Sequence, residues 1–557
     1  MDDLLSWMNQ PSATRGLRFL NDSGEWSFES FAAIVQRAHS IAGLLRDAAL
    51  RNDDIVAIVL PTGSDFVATI FATWIAGGTI CPLAPPMMFE NEHDYVEHAG
   101  RILGAARPRI AITDKTFRPL MTAAAAAGSV AAATVLDVGD STVAHSGAIQ
   151  GPATTALLQF TSGSSGSPRG VKVSVGNLIA NIAAIRRWID MGSSDATATW
   201  LPLYHDMGLI GCLLTPIVNR SDVWIMRPDQ FVRDPTKWLE CFGRHGASLS
   251  AAPNFGYGYA ARKVANAAVA DMDFSEWRVA IAGAEPVEAG ALRRFSDKLS
   301  AFGFSSRAYL PAYGLAEATL AVTGRPPTAP VAQAVQLDWA TLSFGEHVRV
   351  LAESCLDDLD VGASSGWLVS SGSPHTDTTV SILSSGGEPL PSDTLGEILV
   401  HGPSVASGYI DSRTASTTTF TQAGVLTGDA GFVHKGELYV VGRIADSLKV
   451  RGRTVYAEDL EARVAVATTV PRGRFVIIAV PGQGSGAILG LGEDVEPSWA
   501  AAAAELIKAA VGSSISVRVG VVPRGSIRRT SSGKPRRRVM WELAQRGEIV
   551  MDHITSL

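Results

Sequence analysis

The chain has 557 residues, 46% hydrophobic and 18% charged, a globular composition too long for one core and therefore divided into several units. Its 47 Lys and Arg against 54 Asp and Glu leave a net charge of −7, which excludes a global attraction to nucleic acid or acidic membranes. Cys81, Cys212, Cys241 and Cys355 lack CxxC or metal spacing, and the acidic start MDDLLSWMN has no signal-peptide pattern, so a cytoplasmic protein in a reducing compartment is expected.

From the start, Phe31, Ile34, Ala38, Ile41, Leu44 and Leu45 recur at helical spacing, and the run from Asp54 to Leu60 reads as a strand. Phe66 to Leu83, broken by Gly77, Gly78 and Pro82, suits a buried helix and strand rather than a membrane span. This alternation argues for a layered α/β unit. Next comes LLQFTSGSSGSPRGVKVSV, from Leu157 to Val175, in which two strand patterns flank a Ser/Gly/Pro loop. Bare backbone N–H groups at Gly163, Gly166 and Gly170, the hydroxyls of Thr161, Ser162, Ser164 and Ser165, and the charge of Arg169 suit a nest for phosphate oxygens. It is not a Walker loop: GxxxxGK[ST] cannot be placed, and a strand rather than a helix follows. Leu178, Ile182, Ile185 and Ile189 then mark a helix with Asn177 as its expected cap.

TSGSSGSPRGV resembles the phosphate loop of the adenylate-forming superfamily, which includes acyl-CoA synthetases, fatty acyl-AMP ligases and nonribosomal adenylation domains. That family usually carries Lys where this chain has Arg169, a change that keeps the charge and alters its shape. Further strings match in family order. WLPLYHDMGLIG, from Trp200 to Gly211, is similar to a fatty acyl-AMP ligase segment, which implies a positioning role for His205 beside the acyl carboxylate. Ser250 to Tyr259 resembles the acyl-pocket helix, with Pro253, Asn254 and Phe255 in the pocket. No acid lies between Leu249 and Ala270, and an ammonium buried without one would be costly, so the expected substrate has a carboxylate and an apolar body.

Ala282-Gly-Ala-Glu-Pro286 and Ala312-Tyr-Gly-Leu-Ala-Glu-Ala-Thr319 resemble the adenine-binding strings. They imply Gly283, Ala284, Glu285, Tyr313 and Gly314 around the nucleotide, Tyr313 stacked on adenine, and Glu317 holding Mg2+ between the phosphates. Roughly fifty residues separate Thr319 from Ser371, more than a compact connection needs. The resemblance identifies an insertion at about 333–362, containing Leu337 to Phe344 and Val348 to Leu351, that restrains the tail and discourages free coenzyme A. Asp429 falls where the family accepts both ribose hydroxyls, Arg443 lies near the ribose, and Asp446 is the expected pivot. Ile527 to Pro535 is close to the family's catalytic-lysine string, with Lys534 bridging the substrate carboxylate and the α-phosphate. The basic run Arg524, Arg528, Arg529, Lys534, Arg536, Arg537 and Arg538 is either a solvated face or a surface for an acidic carrier protein, nucleic acid being a weaker option.

The implied fold is α/β: a large N-terminal domain at 1–442, made of two layered α/β units and a small β-barrel-like unit, a hinge at 443–446, and a mobile α+β lid at 447–557. The implied chemistry is ATP- and Mg2+-dependent conversion of a fatty acid to acyl-AMP with release of pyrophosphate. Catalysis falls to Lys534, Glu317 and His205, and the acyl group passes to the phosphopantetheine thiol of an acyl carrier protein in lipid, polyketide or nonribosomal peptide synthesis. The alternatives are an acyl-CoA synthetase using free coenzyme A and, more distantly, an inactive nucleotide-binding or carrier-docking module.

Overall fold

The computed structural model describes residues 2–557 other than 87–90, 131–132, 142–150, 152–153, 163–167, 340, 360–365, 412–416, 451–452, 481–486, 513–514 and 530–534. Among the described residues two large sheets form the body. The first has six strands in the order Thr134–Asp137, Ile110–Thr113, Ile55–Val59, Thr79–Pro82, Thr155–Ser162, Pro168–Ser174. All its pairings are parallel except the last, the hairpin on either side of the phosphate-loop string. Helix Ser64–Ile75 is buried from Phe66 onward, and its Trp74 indole N–H donates to the Ala156 carbonyl at 2.9 Å, fixing the strand that leads into the loop. The helix after the hairpin, Val175–Trp188, is capped by Ser174. Asn177 is its reciprocal partner at the third position, because the strand ends one residue before Val175 and leaves Ser174 extended.

The second sheet has nine strands. Its centre runs Tyr309–Gly314, Val279–Ala282, Leu249–Ala252, Ala196–Thr199, Asp222–Ile225, all parallel. The carboxyl ends of parallel strands are where ligands settle in open α/β sheets. Here those ends lead into Trp200–His205, Pro253–Phe255, Gly283–Glu285 and Tyr313–Glu317, so one edge of one sheet collects most of the residues singled out from the sequence.

The expected insertion contains two of three antiparallel strands, Gln333–Leu337, Val350–Cys355 and Trp367–Val369. One face, with Val335, Leu337, Leu342 and Val348, packs on Phe432, Tyr439 and Val441 of a five-stranded β unit and on Tyr456 beyond the hinge. The tail places helices Ala457–Thr468 and Ser498–Val511 on one side of a four-stranded sheet and Arg537–Gln545 on the other. This is the α+β arrangement that the resemblance implies for the tail. No helix among the described residues is long and apolar enough to cross a membrane.

Candidate active site

At the nucleotide end, close backbone packing dictates the glycines. A Cβ on Gly314 would lie 1.9 Å from the Leu320 carbonyl oxygen, and one on Gly283 would lie 3.1 Å from that of Ala312. Ala284 follows with φ +68°, turning the chain away from the sheet edge. Tyr313 and Asp429, 116 residues apart, meet here: the Tyr313 hydroxyl donates to Asp429 Oδ2 at 2.6 Å. Arg443, opposite Asp429 in the neighbouring strand, places Nε 2.7 Å from Oδ1. The Asp429 charge holds the Arg443 guanidinium above its ordinary range against burial, while burial and then Asp429 push the Tyr313 phenol up. A carboxylate has about four lone-pair sites, so two donors leave room for two further hydroxyls.

At the phosphate end, Thr161 and Ser162 close the first strand of the hairpin and Arg169 opens the second; Gly163, Ser164, Ser165 and Gly166 lie outside the described residues. Arg169 is buried, with its guanidinium 5.1 Å from the centre of the Tyr409 ring. The Tyr409 hydroxyl donates to Glu317 Oε1 at 2.6 Å. Glu317 is 6% exposed, and no cluster of three His, Cys, Asp or Glu occurs among the described residues. A lone buried carboxylate fits Mg2+, which uses one or two protein carboxylates together with substrate phosphates. Sequence reasoning assigned nothing to Tyr409, because its contacts are remote in sequence.

At the acyl end, His205 Nδ1 lies 2.6 Å from Asp206 Oδ1, which orients the ring and leaves Nε2 as its outward nitrogen. Gln159 donates to the Tyr204 carbonyl at 3.1 Å, tying this segment to the strand before the phosphate loop. The Asn254 side chain donates to the Pro286 carbonyl and accepts from the Glu288 N–H, and Glu285 accepts from the Phe255 N–H at 3.3 Å. Helix Asn254–Lys263 is thereby fastened to the segment 283–288. Trp200 stacks on Phe231 at 4.1 Å and meets Phe255 edge-on at 6.3 Å; Phe255 is 48% exposed. Gly256 is required, since its Cβ would sit 2.5 Å from Trp200 Cζ2.

Lys534 lies outside the described residues. Three residues on, Arg537 reaches the expected pivot: Nη1 donates to Asp446 Oδ2 and Glu458 Oε1, each at 3.0 Å, and Nη2 to Glu461 Oε2 at 2.9 Å. Burial pushes the Glu458 carboxyl up to about 7, with Arg537 opposing and Asp446 and Glu461 adding to the rise.

A family model, the AMP-binding enzymes, matches residues 8–410. The chain belongs to that family. Among curated AMP-binding relatives, the 4-hydroxyphenylalkanoate adenylyltransferase of Mycobacterium tuberculosis is 33% identical over 522 residues, covering 87% of this chain and 81% of its own. The long-chain-fatty-acid–AMP ligase FadD26 of Mycobacterium marinum is 33% identical over 521 residues, covering 87% and 86%. A solved structure from work on fatty acyl-adenylate ligases of E. coli and L. pneumophila superposes with TM-score 0.86 at 30% identity, covering 98% of both chains. An L. pneumophila fatty acyl-adenylate ligase with acyl adenylate and pyrophosphate gives TM-score 0.72 at 26% identity, covering 100% of this chain and 97% of that one.

Proposed function

We propose that the protein is a fatty acyl-AMP ligase that delivers its acyl group to a carrier protein. It activates a fatty acid with ATP, forming acyl-AMP and releasing pyrophosphate. The observation that carries this reading is the Tyr313–Asp429–Arg443 cluster beside the buried Glu317, at a sheet edge whose neighbouring acyl segment has no acid between Leu249 and Ala270.

In this reading Asp429 takes the ribose hydroxyls with its remaining lone pairs, Arg443 pairs with Asp429 and fixes its direction, and Gly283, Ala284, Glu285 and Gly314 let adenine lie against backbone with the Tyr313 ring over it. Thr161 to Gly166 and Arg169 hold the phosphates, and Glu317 holds Mg2+, which when bound neutralises charge building on them. His205 positions the acyl carboxylate with Nε2, and Pro253, Asn254 and Phe255 border the apolar chain. The carboxylate attacks the α-phosphate in line, and Lys534 stabilises the charge that spreads over both. Catalysis is positioning plus electrostatic stabilisation. Turning of the tail at Asp446, against the restraint of the insertion, then admits the phosphopantetheine thiol in the cytoplasm.

The test is acid-dependent pyrophosphate release over a panel of fatty acids, repeated with coenzyme A and with a phosphopantetheinylated acyl carrier protein while transfer is followed by mass spectrometry. Transfer to the carrier alone is expected. Efficient acyl-CoA formation overturns the choice of acceptor, and no pyrophosphate release with any acid overturns the ligase reading.

A further inference from the structure

We infer that Tyr409 is a positioning residue that aims the Glu317 carboxylate at the metal and links it to the phosphate loop; the inference rests on the ligase reading above. Residues 403–410 form a strap against residues 170–172, Asn177 and the turn at 317–319. Gly408 and Ile410 extend the open edge of the first sheet: the Lys172 N–H donates to the Gly408 carbonyl at 2.8 Å, and the Ile410 N–H to the Gly170 carbonyl at 2.8 Å. Val171 faces Tyr409 in this pairing, so the strap is in register with the strand that carries Arg169. Upstream, the Asn177 amide donates to the carbonyls of Pro403 and Val405 at 2.7 and 2.9 Å.

The same strap holds the turn that bears Glu317. The Ala406 N–H donates to the Glu317 carbonyl at 2.9 Å, and the Thr319 hydroxyl to the Ser404 carbonyl at 2.6 Å. Thr319 has φ +69°, a left-handed conformation that needs such outside support. Between these two attachments stands the Tyr409 ring, edge-on to Phe420 at 5.2 Å and faced by the Arg169 guanidinium. The ring is thereby held in place, and its hydroxyl donates to Glu317 Oε1.

A buried carboxylate that holds a cation must present an oxygen in a set direction. The hydroxyl occupies Oε1, which leaves Oε2 as the oxygen that would face a bound cation. Outer partners of this kind orient a ligand, and their removal costs about 10–100-fold in metal affinity. The Arg169 guanidinium over the same ring ties the phosphate grip to the metal grip through one side chain.

Tyr409→Phe removes the hydroxyl and keeps the ring between Phe420 and Arg169. ATP binding is measured by calorimetry with Mg2+ and with EDTA, and pyrophosphate release against Mg2+ concentration. The expected result is roughly tenfold weaker ATP binding in Mg2+, unchanged binding in EDTA, and a roughly tenfold rise in the Mg2+ needed for half-maximal release. Glu317→Gln combined with Tyr409→Phe binds Mg2+-ATP no more weakly than Glu317→Gln alone. Equal losses with and without Mg2+, or additive losses in the double variant, overturn the inference. A wild-type protein that binds Mg2+-ATP but releases no pyrophosphate with any acid overturns the ligase reading instead, and the calorimetric comparison still decides Tyr409.

Discussion

Arg443, at the end of the body, meets one carboxylate and is 38% exposed, whereas Arg537, in the tail, meets three and is 13% exposed. The first centre leaves lone pairs on Asp429 open beside the sheet edge that carries Tyr313. The second engages all three nitrogens of its guanidinium, since Nε also donates to the Ile477 carbonyl at 3.0 Å, while Glu461 accepts back from the Ile477 N–H at 2.9 Å. The same residue types thus make a site whose single carboxylate keeps acceptors open and a staple in which one guanidinium draws three carboxylates together. What separates them is the ratio of carboxylates to donors and the depth of burial, neither of which a local string reveals.

The strongest way to break this comparison is Arg537→Met. It strands Asp446, Glu458 and Glu461 without a counter-charge, and losing one partner of a buried ion cluster costs about 3–5 kcal/mol. Denaturant unfolding followed by limited proteolysis should show that loss in the tail; a change below about 1 kcal/mol would mean the staple carries no load. Arg443→Met should act on binding instead. Water reaches this side chain, so its stability cost is about 1 kcal/mol, while ATP affinity measured by calorimetry falls about tenfold to a hundredfold as Asp429 loses its charged donor.

A pH series separates the centres without removing either arginine. Glu458 titrates near 7 in the folded chain against an ordinary 4.5, so the folded tail binds the extra proton between those values. Stability from this group is fully present below about 4.5 and is lost as pH rises through about 7. Tail stability of the wild type should therefore fall across that window relative to Glu458→Gln, whose profile lacks this slope. Matching slopes would place the titration elsewhere.

Local strings revealed much of this molecule and failed at identifiable points. Alternation of Val171 and Val173 after a Ser/Gly loop gave the hairpin, and Phe66 to Leu83 resolved into a helix and strand as its glycines and Pro82 indicate. Asn177 was expected as a cap because it is a capping residue type next to a helical run. It is the third residue instead, and Ser174 is the cap, since strand and helix abut without a loop. Glu317 and Asp429 stood out as acids in distinctive strings, but the hydroxyls that orient them come from residues 92 and 116 positions away. Arg537 looked like one more charge in a basic run, although its carboxylate partners lie 76 to 91 positions upstream. Periodicity records which face is buried; it does not record which distant side chain arrives there.

The smallest effect sharpens the comparison at Asp429 itself. Tyr313→Phe removes one donor to Oδ2 and keeps the ring. A neutral hydroxyl contributes about 0.5–1.5 kcal/mol, and the freed lone pair becomes available to a ribose hydroxyl, so ATP affinity should fall no more than about fivefold. Tyr313→Leu also removes the aromatic face, and loss of base stacking costs about 1–3 kcal/mol, so its defect should exceed that of the Phe variant by roughly fivefold or more. Calorimetry with ATP and with a ribose triphosphate lacking the base divides the two contributions: the Phe defect persists on both ligands, while the additional Leu defect disappears when the base is absent. Equal defects for Phe and Leu would mean that Tyr313 serves the site through Asp429 alone, making its hydroxyl the counterpart of Arg443 rather than an accessory to it.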